Sequence, residues 1–166
     1  KIFVAGHSEG SLIGMLASEN NKKVEGFISI AGPGCPADEV LKEQLAKSEE
    51  GAKKTIYSYI DRIKSGDTIA NVPYVLYSLF RPSIQRYMTS WFKYDPRAEI
   101  KKLKIPILIL QGNMDMQVKV KDAELLHEAS PESKISIIQN MNHVLKFCDT
   151  LEREIQLKTY DNPKLP

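Results

Sequence analysis

Cysteine is scarce in this chain, and the two present, Cys35 and Cys148, lie far apart. Two thiols so separated read as free and buried, which excludes a disulfide scaffold. Histidine is nearly as rare: His7, His127 and His143 are the full set. No His/Cys group has metal-ligand spacing and no glycine-rich loop of the phosphate-cradling kind occurs, so neither metal nor cofactor is expected. An excess of one charge is missing too. The 23 Lys and Arg against 21 Asp and Glu leave a net charge of +2. With the two signs interleaved, no footprint for nucleic acid is visible. The one basic cluster, Lys101, Lys102 and Lys104, reads as a solvated loop before a strand. Long apolar runs are absent: the longest, Ile105 to Leu110, is strand-sized, so no membrane span is expected. There is no initiator Met and no signal peptide, and the first residues already read as a core strand. The chain therefore reads as an internal fragment of a larger protein, its localisation unread, with the cytoplasm as default. What remains, 42% hydrophobic and 27% charged residues over 166 positions, suits one ordinary globular domain.

Against that background, Gly6-His7-Ser8-Glu9-Gly10 is conspicuous. It follows the apolar stretch Lys1-Ile2-Phe3-Val4-Ala5 and opens an amphipathic stretch from Leu12 to Ala17. Strand, G-x-S-x-G, then helix is the setting of a nucleophile elbow, a sharp turn that presents a serine hydroxyl. Such a turn leaves little room two residues either side of the serine, which is the reason expected for Gly6 and Gly10. The helix behind it aims its first amides at the same spot, and the N–H of Glu9 is placed to stabilise an oxyanion. Ser8 is the candidate nucleophile; a merely structural turn serine is the plainer alternative.

The rest of the chain alternates strand and helix. Val24 to Ala31 reads as a second buried strand closed by Gly32-Pro33-Gly34. From Ala37 to about Tyr94 the chain reads as helical. One stripe runs through Leu41, Leu45, Ala52, Ile56, Ile60 and Ile63, with Gly51 as a break. Ile84, Tyr87, Met88, Trp91 and Phe92 form a second stripe, started by Pro82. Either stripe is core material; Tyr87, Met88, Trp91 and Phe92 are also candidates for a substrate pocket. After Asp95-Pro96 come a third strand, Ile105 to Gln111, a helix near Lys119 to Ala129, and a fourth strand, Lys134 to Gln139. The pattern predicts an α/β fold of four mostly parallel strands flanked by helices. A helical block is inserted between the second and third strands. The domain reading is 1–34 core, 35–95 inserted helices and 96–166 core.

A serine nucleophile needs a general base, and the base needs an orienting carboxylate. Asp115 follows the third strand and His143 the fourth, so both fall with Ser8 at the C-terminal ends of parallel strands, where reactive groups gather. Asp122 is the rival acid but lies inside a predicted helix. His7 is expected to pack under the turn, and His127, on a helix with Glu124 and Glu128, to face solvent.

These motifs resemble the C-terminal half of an α/β-hydrolase, close to bacterial esterases, lysophospholipases and S33-peptidase-like serine hydrolases. The resemblance rests on residues 6–10, Ala31-Gly32-Pro33-Gly34, Gly112-Asn113-Met114-Asp115-Met116-Gln117-Val118 and Met141-Asn142-His143, and on the chain order Ser, Asp, His. It implies a catalytic set of Ser8, Asp115 and His143, and a cap or lid formed by Cys35 to Asp95. The implied activity is hydrolysis of a small-molecule carboxylic ester or related acyl bond through an acyl-enzyme. It also implies that the loop carrying the second oxyanion donor is encoded upstream, and that Tyr160 to Pro166 is the loop leading into a closing helix. From this follow two further expectations: weak activity of the chain alone, and self-association through an exposed edge at Ile2 to Ala5. A non-catalytic or inactive truncated fragment acting as a binding scaffold is the alternative function.

Overall fold

A computed structural model describes residues 1–46 and 48–162. The chain divides into two compact units, Lys1–Gly34 with Pro96–Pro166, and Cys35–Asp95.

The first unit is built on strands β1 (Ile2–His7), β2 (Val24–Ile30), β3 (Ile107–Gly112) and β4 (Lys134–Ile138). They lie in the order β1-β2-β3-β4, and every neighbouring pair is parallel. Parallel neighbours need a crossover, and helices supply it. Helix α1 (Glu9–Ser18) joins β1 to β2, and α7 (Val120–Ala129) joins β3 to β4; α6 (Pro96–Lys102) precedes β3, and α8 (Arg153–Tyr160) follows β4. The register pairs His7 with Ile30 and Gly112 with Ile138, so the C-terminal ends of the strands share one edge. Apolar residues of β2 and β3 meet one face of the helices. Met15, Phe27, Ile100, Leu103, Ile107, Ile109, Ala123 and Leu126 form one buried cluster. β1 is an outer strand with Ile2 and Phe3 exposed.

Several boundaries differ from the sequence reading. β1 runs two residues further, through Gly6 and His7. β3 starts at Ile107, because Pro106 has no N–H for the ladder; its carbonyl instead accepts from Phe27 N at 3.0 Å. Lys101 and Lys102 are not loop residues. They end α6, where cations suit the helix dipole, and Lys102 pairs with the buried Glu99 at 2.6 Å. The loop expected to begin at Tyr160 is displaced, since that residue is the last of α8; Pro163 to Pro166 lie outside the described residues.

The second unit holds α2 (Ala37–Gln44), α3 (Glu50–Lys64), a 3-10 turn (Tyr74–Leu76), α4 (Tyr77–Phe80) and α5 (Pro82–Trp91). Gly51 is not the break. It lies in the first turn of α3, where the helix amides need no partner within the helix, and Ala52 beside it is exposed. The helical block is also interrupted between α3 and Tyr74. Its own core gathers Ala37, Ile56, Ile60, Ile63, Ile69, Phe80, Met88 and Phe92.

Gln85 organises that interrupted stretch from inside. Fully buried, it accepts from Ile69 N at 2.8 Å and donates to the carbonyls of Ile69 (2.9 Å) and Phe80 (2.7 Å). Gln85→Leu keeps the volume but strands these backbone groups, each at about 1–3 kcal/mol. Urea denaturation is therefore expected to show a lowered unfolding midpoint, with a loss of at least about 2 kcal/mol.

Candidate active site

Ser8 sits between the last residue of β1 and the first of α1, with φ 56° and ψ −126°. A non-glycine residue at positive φ is strained and persists only where its surroundings hold it. Two hydrogen bonds do so here: Ser8 N donates to Ile30 O, and Ser11 N to Ser8 O, both at 2.9 Å. The turn closes tightly on Gly6, where an added Cβ would lie 2.0 Å from the Gly10 carbonyl oxygen. Gly10 is different from expectation. A Cβ there would meet nothing within 4 Å among the described residues.

A serine at a helix N-cap ordinarily turns its hydroxyl back onto the helix amides. Ser8 makes no such bond. Its Oγ lies 3.0 Å from His143 Nε2, and His143 Nδ1 lies 2.8 Å from Asp115 Oδ2. Both partners are buried, His143 at 6% and Asp115 at 5% exposure, so bulk water competes little for these bonds. The carboxylate accepts the Nδ1 proton, which leaves the Nε2 lone pair facing the serine hydroxyl.

Asp115 is held by its own strand end and loop. Oδ1 accepts from Gln117 N (2.8 Å) and Val118 N (2.9 Å), and Oδ2 accepts from Gln111 Nε2 (3.2 Å) as well as from His143. His143 projects from a small loop closed by the antiparallel bridge Met141–Phe147. Inside that loop the buried Asn142 accepts from Val144 N and Lys146 N and donates to Thr159 Oγ1 at 2.7 Å. Gly112 lets the acid loop and this loop touch, since a Cβ on it would lie 2.0 Å from Met141 O. Helix α8 ties both loops down: Gln156 Nε2 donates to Met114 O (2.7 Å), and Lys146 Nζ to the carbonyls of Tyr160 and Asn162 (3.0 and 2.6 Å).

The structure thus brings Ser8, Asp115 and His143 into one hydrogen-bonded line, with Glu9 opening α1 beside them. The rivals have other partners. Asp122 accepts from Gly34 N and Lys119 N, both at 2.9 Å, and caps α7. His127 is half-buried rather than solvent-facing, with Nδ1 2.9 Å from Ser133 Oγ. His7 does not pack under the turn; it is exposed and contacts His143. Tyr87, Met88 and Trp91 lie in the second unit and line a largely apolar cavity of about 160 Å³ there, whereas Phe92 is buried in that unit's core. Gln111, Asn142 and Gln156 escaped the sequence reading. Gln111 had a signal, one polar residue ending an otherwise apolar strand; Asn142 stood in the motif beside His143 without its bonds being legible, and Gln156 acts across a distance in sequence that no local pattern reveals. Among the described residues, no group of three or more His, Cys, Asp or Glu could hold a metal ion, and no helix is long and apolar enough to cross a membrane.

No known family model matches the chain. By sequence it is similar to the esterase EstD of Thermotoga maritima, 28% identical over 153 residues, which is 87% of this chain and 35% of EstD. By structure it is similar to an esterase of Pyrococcus furiosus (TM-score 0.51, 17% identity, 95% of this chain and 50% of that one). It is also similar to the esterase domain of a Rhodothermus marinus protein (TM-score 0.50, 14% identity, 86% and 51%). The chain therefore spans about a third of its sequence relative and about half of these structures.

The two glycines around Ser8 separate cleanly by mutation. Gly6→Ala forces a methyl into backbone and is expected to cost about 3 kcal/mol or prevent folding, whereas Gly10→Ala changes stability by no more than about 1 kcal/mol. Thermal denaturation of the two variants side by side checks the contrast.

Proposed function

We propose that this chain, whose fold is that of the α/β-hydrolases, carries the catalytic set of a serine esterase: Ser8 as nucleophile, His143 as general base and acid, Asp115 as orienting carboxylate. One observation supports this above others: the Ser8 hydroxyl is held in strained backbone, makes no helix-capping bond, and is hydrogen-bonded to His143 instead. In acylation, Ser8 Oγ attacks the ester carbonyl and its proton passes to His143 Nε2. The carbonyl oxygen, now negative, accepts a hydrogen bond from the amide N–H of Glu9 at the start of α1. Collapse expels the alcohol, which takes the proton from His143, and leaves Ser8 esterified by the acyl group. Water then attacks that ester with His143 again as base, releasing the carboxylic acid and restoring the serine. Asp115 stabilises the imidazolium in both steps and stays ionised. The names of the relatives point to an ester as the bond cleaved; amides and thioesters follow the same chemistry.

The helical unit Cys35–Asp95 is, on this reading, the cap that selects the acyl or alcohol group. Its place between β2 and β3 in the chain and its apolar cavity support that role. Because the chain spans only 35% of EstD, the 166 residues alone are proposed to be weak, with a second oxyanion donor supplied by sequence beyond them. Loss of one such donor costs about 10²–10³ in turnover.

In the protein that carries this chain, Ser8→Ala and Asp115→Asn are each expected to lower hydrolysis of p-nitrophenyl acetate by about 10⁴, with unchanged circular dichroism. Asp122→Asn, which touches the α7 cap and the Gly34 amide but neither Ser8 nor His143, is expected to retain turnover. A fluorophosphonate probe should label the parent protein and not Ser8→Ala; labelling that persists in that variant contradicts the assignment. Trp91→Ala is expected to shift the preferred acyl chain length more than it lowers stability, read from turnover across a series of p-nitrophenyl esters.

A further inference from the structure

The mechanism above leaves His7 idle, although it is the imidazole nearest the site after His143 itself. Resting on that mechanism, we infer that His7 is a positioning residue: it fastens the base-bearing loop to the nucleophile strand and matters most while Ser8 is acylated. Its Nε2 donates a hydrogen bond of 2.7 Å to the main-chain carbonyl of His143. A carbonyl only accepts, so the proton lies on His7 Nε2. The two imidazole rings are also in contact, with centroids 4.9 Å apart and planes tilted by 43°.

The loop around His143 is fastened on its other side by Asn142 to Thr159 and by Lys146 to the end of α8. Those bonds hold it to α8. Toward β1 and its turn the loop is linked by the bond from His7 and by the one between Ser8 and His143. The second cannot last through a catalytic cycle. Once Ser8 carries an acyl group, its Oγ is an ester oxygen with no proton to share, and that link lapses. Neither atom of the His7–His143 carbonyl bond takes part in the chemistry, so this link persists. It then holds His143 at the distance from the acyl carbonyl where it can align water. His7 is exposed within this chain, and a glutamine in its place keeps most of its bulk, so His7→Ala and His7→Gln separate packing from the hydrogen bond.

The test uses His7→Ala and His7→Gln in the protein that carries this chain, with stopped-flow hydrolysis of p-nitrophenyl acetate separating acylation from deacylation. His7→Ala is expected to slow deacylation by about 10–100-fold and acylation by no more than about threefold, so that kcat and KM fall together. His7→Gln carries an N–H of similar reach and should bring deacylation back to within about threefold of the parent. Deacylation at the parent rate in His7→Ala, equal slowing of both steps, or a Gln variant as impaired as the Ala variant each overturns the inference. Ser8→Ala, run in parallel, keeps the two readings apart. Retained turnover there removes the serine mechanism itself, whereas an inert Ser8→Ala beside a His7→Ala of parent behaviour removes only the tether.

Discussion

The carboxylate of Asp115 receives hydrogen bonds from the amides of Gln117 and Val118, the side chain of Gln111, and the ring of His143. A buried charge is costly unless its lone pairs are met, and here both oxygens are. The same bonds shape the site. The two amides fold the loop after β3 back on itself, Gln111 joins that loop to the strand, and the remaining lone pair fixes the ring of His143. Losing the carboxylate would release three backbone or side-chain donors as well as the imidazole, so Asp115 is an architectural element apart from the chemistry proposed for it.

Around that anchor the site is assembled from strand ends that share one edge. A parallel sheet sends every strand in the same direction, so the turn at Ser8, the loop of Asp115 and the loop of His143 converge without any of them being adjacent in sequence. Close backbone approach then presses them together: Gly6 against Gly10 at the serine turn, Gly112 against Met141 between the acid and base loops. Helix α8 completes the arrangement from outside. Gln156 reaches the acid loop and Thr159 the base loop, so one helix sets the spacing of both.

The helical unit Cys35–Asp95 follows a different principle. It has its own apolar core and its own buried polar hub at Gln85, whose amide satisfies backbone groups that the break between α3 and α5 leaves open. A unit whose core is organised from within is free to vary in its outer and cavity-lining residues. That property suits the selecting role proposed for it.

Local pattern alone carried a great deal. Strand-turn-helix around Ser8, alternation of apolar strands with helices, and polar residues just after strands were legible because each is a short-range signal with a fixed period or a fixed turn chemistry. The four-stranded parallel α/β core and the separate helical insertion followed from them. Short-range signals stop at the element. α6 went unread because seven residues offer too little periodicity, Gly51 was mistaken for a break because a glycine near a helix start looks like one inside it, and Gly10 was credited with a steric need that only Gly6 has. By itself, the sequence determined the four strands, the helices with a long enough period, their order and the residue types able to do the chemistry. Tertiary structure alone decided the rest: which imidazole meets the serine, which aspartate meets that imidazole, and that Gln111, Gln156 and His7 hold the neighbouring groups. Those choices rest on hydrogen bonds of about 3 Å, most of them between residues far apart in the chain, and only the assembled sheet brings such partners within reach.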